Sequence, residues 1–396
     1  MQANLKYSKS KAFRISDSIN SNLKYPYEFD PKKRKVAKIY SKQRLLLGIV
    51  NGIIIEFLAL FLVLLLGINV GIKEFVSPLP TLLVVPAYVF VLITLLTVVK
   101  FPLIFYGGYV FEHKYGLSNY TLARWFTDYL KRLLVGYVIL IPAFTVLFYL
   151  WAFENWWVIA GVLYVLFSIL LHYIYPVLLV PFFYKIEPYK NERHKRKILE
   201  LCRRLGVNKI KDIVVVKQSE KSKKPNAFFT GFGATKKIAL FDTLTDNFTE
   251  DEVETVIGHE LGHYVNRDIW RGIAVDALHI FPVLFITNLI LWKSVNYFNI
   301  AYFGDLTALP LFLLLFSLLD LITLPLINTY SRHREAQADL FALNVVQKQR
   351  AQVSTEKRLA DLSLGDHQPH PLIEFIFWTH PATWRRIKLA QEWRKK

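Results

Sequence analysis

The stretch Trp156–Val180 reads WWVIAGVLYVLFSILLHYIYPVLLV and contains no Asp, Glu, Lys or Arg. A helix crosses the hydrocarbon core of a bilayer with about 20 predominantly apolar residues, and this stretch is long enough. Five further stretches meet the same condition: Leu45–Ile72, Leu79–Val99, Leu133–Phe153, Ile269–Leu291 and Leu306–Asn328. So many long apolar stretches argue against a soluble protein with buried helices. The sequence therefore predicts an all-α-dominated polytopic membrane protein with six transmembrane helices.

The composition agrees with a membrane protein. Residues of the set AVILMFWYC make up 53% of the chain, yet the formal net charge is +18. A chain both apolar and strongly basic is typical of a membrane protein whose loops face an anionic leaflet. Nucleic-acid binding is the rival explanation for the charge, but no nucleic-acid-binding module is visible, so no such partner is expected. The single cysteine, Cys202, excludes an intrachain disulfide and indicates a reducing compartment for the soluble parts.

Lys and Arg are concentrated in alternate loops. The basic segments are residues 1–44, 112–132, 185–268 and the tail after Tyr330, whereas Lys73–Pro78, Glu154–Asn155 and Trp292–Asp305 are short or poor in basic residues. By the positive-inside rule, both termini and the large loop are predicted to be cytoplasmic. The predicted divisions are a basic segment 1–44, four helices in 45–184 with a cytoplasmic loop 112–132, a soluble core 185–268, two helices in 269–330 and a soluble tail 331–396.

The soluble core is predicted to mix helices and strands. A basic amphipathic helix covers Lys195–Leu205, and two β-strands cover Asp212–Lys217 and Lys237–Phe241. A further helix begins at Thr249, which forms a capping box with Glu252. This last helix is expected to run directly into the fifth membrane span at Ile269.

The capped helix contains His259-Glu260-Leu261-Gly262-His263, the pattern H-E-x-x-H. Positions i and i+4 share one helix face, so the two imidazoles can bind one metal ion while Glu260 reaches its open coordination position. Neutral imidazoles suit zinc, and a catalytic zinc site needs three protein ligands and a water molecule. The pattern by itself is only moderately specific.

Glu335 is the best candidate for the third ligand, and Asp339, four residues later, can accept the second ring N–H of a ligating histidine. His333 is a competing ligand on a different helix face. In isolation these residues would be interpreted as solvated charges near a membrane surface. Because both motifs lie on the same predicted side of the membrane, we favour a zinc site.

The sequence around these motifs resembles the CAAX prenyl protease family, which consists of integral-membrane zinc metallopeptidases. The resemblance is carried by Phe111–Tyr120 (FEHKYGLSNY), Pro225–Leu244 (PNAFFTGFGATKKIALFDTL), Val256–Tyr264 (VIGHELGHY), Ser331–Ala342 (SRHREAQADLFA) and Thr379–Ile387 (THPATWRRI). These segments agree with the family in order, spacing and flanking residues, and the match as a whole extends over most of the chain.

The resemblance implies a role for each matching residue. His259, His263 and Glu335 match the ligands of one Zn²⁺ ion per chain, and Glu260 matches the catalytic base. Asp339 matches the acidic residue that accepts a hydrogen bond from a ligating histidine. Asn226 and His380 match polar residues that line the active site, and these two assignments rest mainly on the resemblance. The implied fold is a ring of membrane helices around a water-filled chamber, with a small α+β, gluzincin-like protease domain on the cytoplasmic side.

The sequence departs from the eukaryotic members of this family. Their seventh, N-terminal span is not evident, and their large insertion before the zinc helix is reduced to Thr245–Asp251. These differences suggest a compact relative in a bacterial or archaeal cytoplasmic membrane, and they weaken the transfer of substrate identity.

Six polar residues within the predicted spans are consistent with a hydrated chamber: Glu56, His172, Asp276, His279, Asn288 and Asp320. Charge within a bilayer is costly and normally faces a bundle interior or water. Hydrogen bonds between helices would account for two or three of these residues, whereas six fit a chamber better.

The predicted reaction is hydrolysis of a polypeptide in contact with the lipid bilayer, as in the proteases that remove the last three residues of prenylated CAAX proteins. Strand Lys237–Phe241 is expected to offer a free edge to the substrate. One alternative is a heat-shock-type quality-control protease of membrane proteins. A second is a transporter or channel with an incidental H-E-x-x-H, and a third, less favoured, is an inactive scaffold.

Overall fold

The computed structural model describes residues 23–207, 210, 212–230, 236–294, 297–298 and 300–394. The helices are α1 Pro31–Ile49, α2 Ile55–Leu65, α3 Ile68–Val76, α4 Thr81–Phe105, α5 Phe111–Lys114, α6 Leu122–Leu150, α7 Trp156–Ile174, α8 Val180–Phe183, α9 Glu192–Arg204, α10 Asp242–Thr245, α11 Glu250–Val265, α12 Asp268–Ser294, α13 Leu309–Val346, α14 Gln349–Leu362, α15 Pro371–Phe377 and α16 Thr383–Glu392. The strands are β1 Ile186–Pro188, β2 Asp212–Val216, β3 Ala227–Thr230 and β4 Lys237–Phe241. π-helical turns join α1 to α2, α4 to α5, and α7 to α8.

Six helical segments of the described chain are long and apolar enough to cross a membrane, which confirms the predicted number. They are Pro31–Leu65, Thr81–Lys114, Leu122–Leu150, Trp156–Phe183, Asp268–Ser294 and Leu306–Val346. Most are longer than the predicted apolar stretches because a helix continues past the hydrocarbon boundary wherever its backbone hydrogen bonds continue. Of the predicted N-terminal segment 1–44, residues 1–22 lie outside the described part of the chain.

Two predicted boundaries in the N-terminal half are wrong. The first span does not continue to Ile72, because Gly67 adopts a left-handed conformation (φ 69°) and α3 begins as a separate helix. The predicted loop 112–132 is mostly helical, because α6 begins at Leu122, where the Thr121 side chain caps the backbone N–H of Arg124. Apolar length alone could not detect the polar first turns of α6.

Two expectations for the C-terminal half are also corrected. The zinc-motif helix does not run directly into the fifth span, because Asn266 and Arg267 (φ 56°) form a turn between α11 and α12. In contrast, the sixth span and the helix of Glu335 are one continuous helix, α13. Glu335 is therefore held by a rigid element that begins on the other side of the predicted membrane.

The sheet has the order β1-β2-β4-β3, with β2 and β4 parallel and the other pairs antiparallel. β4 is consequently an inner strand, paired on both sides, so the expectation that Lys237–Phe241 offers a free edge is wrong. The free edge beside β4 belongs to β3. Asp212–Lys217 is a strand as predicted, ending one residue earlier at Val216.

The described residues contain two large hydrophobic cores. One lies at one end of the membrane helices and includes Leu64, Tyr88, Trp156 and Leu309. The other lies between the sheet, α9 and α11. α6 contacts α4 and α7, and the most apolar stretch of α6 has no buried residue. A cavity of about 680 Å³ lies between α1 and α13.

Candidate metal centre

The helix α11 is fixed at its start by the predicted capping box. The Glu252 backbone N–H donates to Thr249 Oγ1 (3.3 Å), and the Thr249 N–H donates to Glu252 Oε2 (2.8 Å). Glu252 also accepts hydrogen bonds from Ser354 and Arg358 of α14. These contacts set the position of the helix that carries His259 and His263.

Glycines allow α11 to approach α13 closely. A Cβ atom at Gly262 would lie 2.9 Å from the Cα atom of Ala338, and one at Gly258 would lie 2.6 Å from Val346 Cγ2. Cβ atoms essentially never make contacts this short. Gly262 is therefore one of the residues that bring Glu335 within reach of the two histidines.

His259, His263 and Glu335 converge on one point. The two Nε2 atoms are 3.1 Å apart, Glu335 Oε2 lies 3.2 Å from His259 Nε2, and Glu335 Oε1 lies 3.5 Å from His263 Nε2. Three ligand atoms around a tetrahedral zinc ion at about 2.0–2.1 Å lie about 3.3 Å from one another. The observed separations match that spacing.

The protonation pattern of the histidines also suits a cation. Nδ1 of His259 lies 2.8 Å from Asp339 Oδ1, and Nδ1 of His263 lies 2.8 Å from Asp268 Oδ2. Each Nδ1 therefore carries the proton, which leaves a lone pair on each Nε2. Glu335 Oε2 is buried without a hydrogen-bond partner. When no proton lies on either Nε2 atom, the two lone pairs and the Glu335 carboxylate are directed at one point, and a cation there would offset their repulsion, so the donor set fits a metal.

The electrostatics of His259 lead to the same conclusion. Burial alone would lower the pKa of this imidazole, but its contacts with Asp339 and Glu335 raise the pKa to about 10. The carboxylates thus favour a proton on His259 Nε2 when no metal is bound, and a divalent cation at Nε2 would replace that proton.

Sequence reasoning missed three residues around the ligands. Asp268, the first residue of α12, orients His263, and Arg386 of α16 contacts both oxygens of Asp339 (2.5 and 2.7 Å). Arg386 also pairs with buried Glu356 (3.0 Å). Arg386 lies within the family-like segment THPATWRRI, which was the only available signal. Nothing local in the sequence distinguished Asp268 or Glu356.

Glu260 lies beside the ligands, and burial raises its pKa above the ordinary value for a carboxyl group. Among the described residues, no side chain donates a hydrogen bond to it. A carboxylate whose pKa is raised and which accepts no side-chain hydrogen bond from the described residues is suited to accept a proton.

The structure brings His380 to the ligands but does not bring Asn226 or His333 there. His380 Nε2 lies 3.5 Å from Glu335 Oε2, and its side chain is exposed. Asn226 precedes β3, where its Oδ1 accepts the Ala227 N–H (2.9 Å), and it lines a cavity of about 760 Å³ beside Ile269 and Tyr175. His333 is bonded to Gln337 on the surface of α13.

The polar residues of the spans have varied surroundings. Glu56 is paired with Lys100 (2.6 Å), and Asn288 accepts a hydrogen bond from Trp156 (2.8 Å). His279 contacts Thr323 (2.7 Å), and Asp320 is largely exposed next to the 680 Å³ cavity. Interhelical contacts therefore account for several of them, including Asp320, whose Oδ1 lies 3.8 Å from His279 Nε2 and which also lines the cavity.

Two family models together match almost the whole chain. Residues 188–394 match "Peptidase family M48", and residues 18–185 match "CAAX prenyl protease N-terminal, five membrane helices". In the described part of that second range, four helical segments are of spanning length, and the short α3 lies between the first two.

Similar proteins have both known and unknown roles. "Uncharacterized metalloprotease YhfN" of Bacillus subtilis is 31% identical over 96% of this chain and 90% of its own length. "CAAX prenyl protease 1" of Saccharomyces cerevisiae is 29% identical over 74% of this chain and 69% of its own length. The crystal structure of Ste24p from S. mikatae has a TM-score of 0.79 at 25% identity, covering 91% of this chain and 89% of the other.

Proposed function

The chain belongs to the CAAX prenyl protease family within peptidase family M48, and from this premise we propose that its active centre is one zinc ion held by His259, His263 and Glu335. The chain is an integral-membrane zinc endopeptidase, as its relatives indicate. The observation that supports the location is the convergence of the two histidine Nε2 atoms and the Glu335 carboxylate, at separations of 3.1–3.5 Å.

The bound zinc would supply Lewis acidity, which polarises the scissile carbonyl and makes water acidic near neutral pH. Glu260 accepts the proton from the attacking water and then delivers it to the leaving amine. His380, on the exposed side of Glu335, donates a hydrogen bond to the developing oxyanion. Asp339 and Asp268 hold the histidines in the tautomer that ligates.

The strand β3 is the surface that would bind an extended peptide. The Phe241 N–H donates to Asn226 O (3.0 Å), so residues 226, 228 and 230 face β4 in hydrogen-bonded pairs. The backbone groups of Ala227 and Phe229 then point to the free edge. Backbone pairing there requires little of the substrate side chains, with Asn226 at the start of the strand to contact the peptide.

The substrate is a membrane-associated polypeptide, and the prenylated C-terminus of a CAAX-like protein is the form that its named relatives suggest. The protease domain and both termini lie in the cytoplasm, by the distribution of Lys and Arg. The helices enclose a hydrated chamber, a proposal supported by the cavity between α1 and α13 that the exposed Asp320 lines.

Glu260→Gln tests the catalytic assignment. We expect the variant to bind zinc as the wild type does and to lose cleavage by at least about 100-fold, the contribution of a general base. His259→Ala is the companion variant and should lose zinc as well as activity. Substantial cleavage by Glu260→Gln would refute the proposed role of this carboxylate.

A quality-control role is the second candidate, because the zinc centre would be common to both functions. Mass spectrometry of products from matched prenylated and unprenylated peptides, and from a misfolded membrane protein, separates the two. Selective cleavage of the prenylated peptide supports CAAX processing, whereas cleavage of the misfolded protein alone supports quality control.

A further inference from the structure

The segment Phe111–Tyr120 contains no residue of the proposed mechanism, although it is one of the family-like stretches. It joins α5 to α6 at the end of the membrane helices that adjoins the protease domain. Residues 112–128 contact one loop of that domain, residues 217–226 between β2 and β3. We refer to residues 112–128 as the docking platform and to residues 217–226 as the β2–β3 loop.

The platform and the loop are joined by a short antiparallel backbone ladder. The Asn119 N–H donates to Lys221 O, and the Lys223 N–H donates to Leu117 O, both at 3.0 Å. These two bonds flank Ser118 and Ser222, which form an isolated β-bridge. The Asn119 side chain adds a bond to Ser219 O (2.7 Å).

A buried ion pair lies behind this ladder. Lys221 is 3% exposed and Asp128 is 4% exposed, and their charged atoms are 2.6 Å apart. Tyr120 donates to the same carboxylate (2.9 Å), and Lys221 lies 4.4 Å from the centre of the Tyr184 ring. Removing one partner of such a pair leaves an uncompensated buried charge, so the contact strongly resists separation.

A second lysine secures the end of the loop. Lys224 Nζ lies 3.0 Å from Glu112 Oε2 and 2.9 Å from Tyr40 Oη, so it contacts both the platform and α1. Its carbonyl accepts a hydrogen bond from Thr243 of α10 (3.0 Å). Only Pro225 separates Lys224 from Asn226, and β3 begins at the next residue.

From these contacts we infer that the docking platform positions the substrate-binding edge, with Asp128 and Lys221 as its principal positioning residues. In the described part of the chain, β3 has four residues and pairs with β4 alone, so the segment before it helps to set where Asn226 and the free edge lie. The platform thus links the membrane helices to the site of peptide binding. This inference rests on the proposed role of β3 and Asn226.

Asp128→Asn in the full chain, reconstituted in lipid, tests the inference by steady-state cleavage of a peptide. A displaced edge weakens ground-state and transition-state binding alike, so we expect KM to rise about tenfold with kcat within about threefold. Zinc content should be unchanged, because the variant does not touch the metal site. A KM equal to that of the wild type overturns the inference.

Asp305→Asn is the matched control. Asp305 is 3% exposed, pairs with Lys73 at 2.7 Å and accepts a hydroxyl hydrogen bond from Thr307. Its core contacts belong to the membrane helices, away from the zinc ligands. If Asp305→Asn raises KM as much as Asp128→Asn, the effect is one of general stability and the inference fails.

An engineered disulfide provides a test of positioning itself. Ser118 and Ser222 are a non-hydrogen-bonded antiparallel pair, whose Cα atoms are typically about 4.5 Å apart, within disulfide range. In Ser118→Cys/Ser222→Cys/Asp128→Asn, oxidation should restore KM and reduction should raise it again. Equal KM values in both states overturn the inference. The native Cys202 is buried.

If Asp128→Asn does not fold, Asn119→Ala is the variant to test. It removes an exposed hydrogen bond to Ser219 O and leaves no buried charge without a partner. We expect KM to rise about threefold, and an unchanged KM overturns the inference. The zinc-binding and cleavage phenotypes of Glu260→Gln test the proposed function separately.

Discussion

At the scale of single residues, the proposed metal centre depends on carboxylates that are not among its proposed ligands. Asp339 and Asp268 each bond one Nδ1 atom at 2.8 Å, and Arg386 fixes Asp339 in turn. Each histidine is thereby held in one orientation and one tautomer. The site is pre-organised by three elements besides the helix that carries H-E-x-x-H: α12, α13 and α16.

Asp339→Asn and Asp268→Asn should each weaken zinc binding by about 10–100-fold, the usual effect of losing such a partner. Competition with a chelator measures the affinity directly. His333→Ala is the control, because His333 lies on the same helix as Asp339 but is bonded to Gln337 away from the ligands. If His333→Ala lost zinc and Asp339→Asn did not, the assigned ligand set would be wrong.

Arg386→Gln should destabilise the protease domain. It would leave Asp339 and Glu356, which are buried, without their shared positive partner, at a cost of about 3–5 kcal/mol. Thermal unfolding of the zinc-loaded protein tests this, with Arg385→Gln as the neighbouring control. Arg385 is half-exposed and pairs with Glu374 outside the metal centre. Equal melting temperatures for the two variants would contradict the expectation.

At the scale of secondary-structure elements, the crossing of α11 and α13 assembles the ligands. α11 presents Gly258 and Gly262 to Ala338 and Ala342, so the two helix backbones approach closely. The sequence H-E-x-x-H places two ligands on one helix, but the third depends on this crossing.

Gly262→Ala should force α11 and α13 apart, because its Cβ would lie 2.9 Å from Ala338 Cα. We expect a loss of about 1–3 kcal/mol of stability and a weaker zinc affinity. Gly136→Ala is the matched control in α6, where a Cβ atom meets nothing within 4 Å. That variant should gain roughly 0.5–1 kcal/mol from helix propensity. Thermal melting curves and chelator titrations of both variants test this prediction. Equal stability and equal zinc affinity in Gly262→Ala and Gly136→Ala would contradict it.

At the scale of the whole molecule, the proposed chamber distinguishes this membrane protein from a solid bundle. Asp320 lies exposed beside a cavity between α1 and α13, and its Oδ1 is 3.8 Å from His279 Nε2. An ionisable residue in a span normally requires water or a partner.

Cysteine labelling in the membrane tests the chamber. Asp320→Cys should react with a water-soluble maleimide, whereas Ile322→Cys, 63% exposed on the opposite helix face, should not. The sole native cysteine, Cys202, is buried and should contribute little labelling. If only Ile322→Cys is labelled, water contacts the Ile322 face of α13 and not the Asp320 face, which contradicts the proposed chamber.

Local pattern and segment length were sufficient to predict several features of this protein from its amino-acid sequence. Six spans follow from apolar runs, the capped zinc-motif helix follows from Thr249 and Glu252, and the ligand pair follows from the i, i+4 spacing of His259 and His263. The family-like segments extended this to Glu335, which the structure brings to the histidines.

Only the tertiary structure decided which distant groups meet. It made β4 an inner strand and β3 the free edge, extended the sixth span through Glu335 as one helix, and brought Asp268 and Arg386 to the ligands. It also joined the segment Phe111–Tyr120 to the β2–β3 loop. The physical reason is that strand pairing, close helix crossing and buried charge pairs depend on contacts between residues far apart in the chain, whereas periodicity and capping report only on neighbours within a few turns.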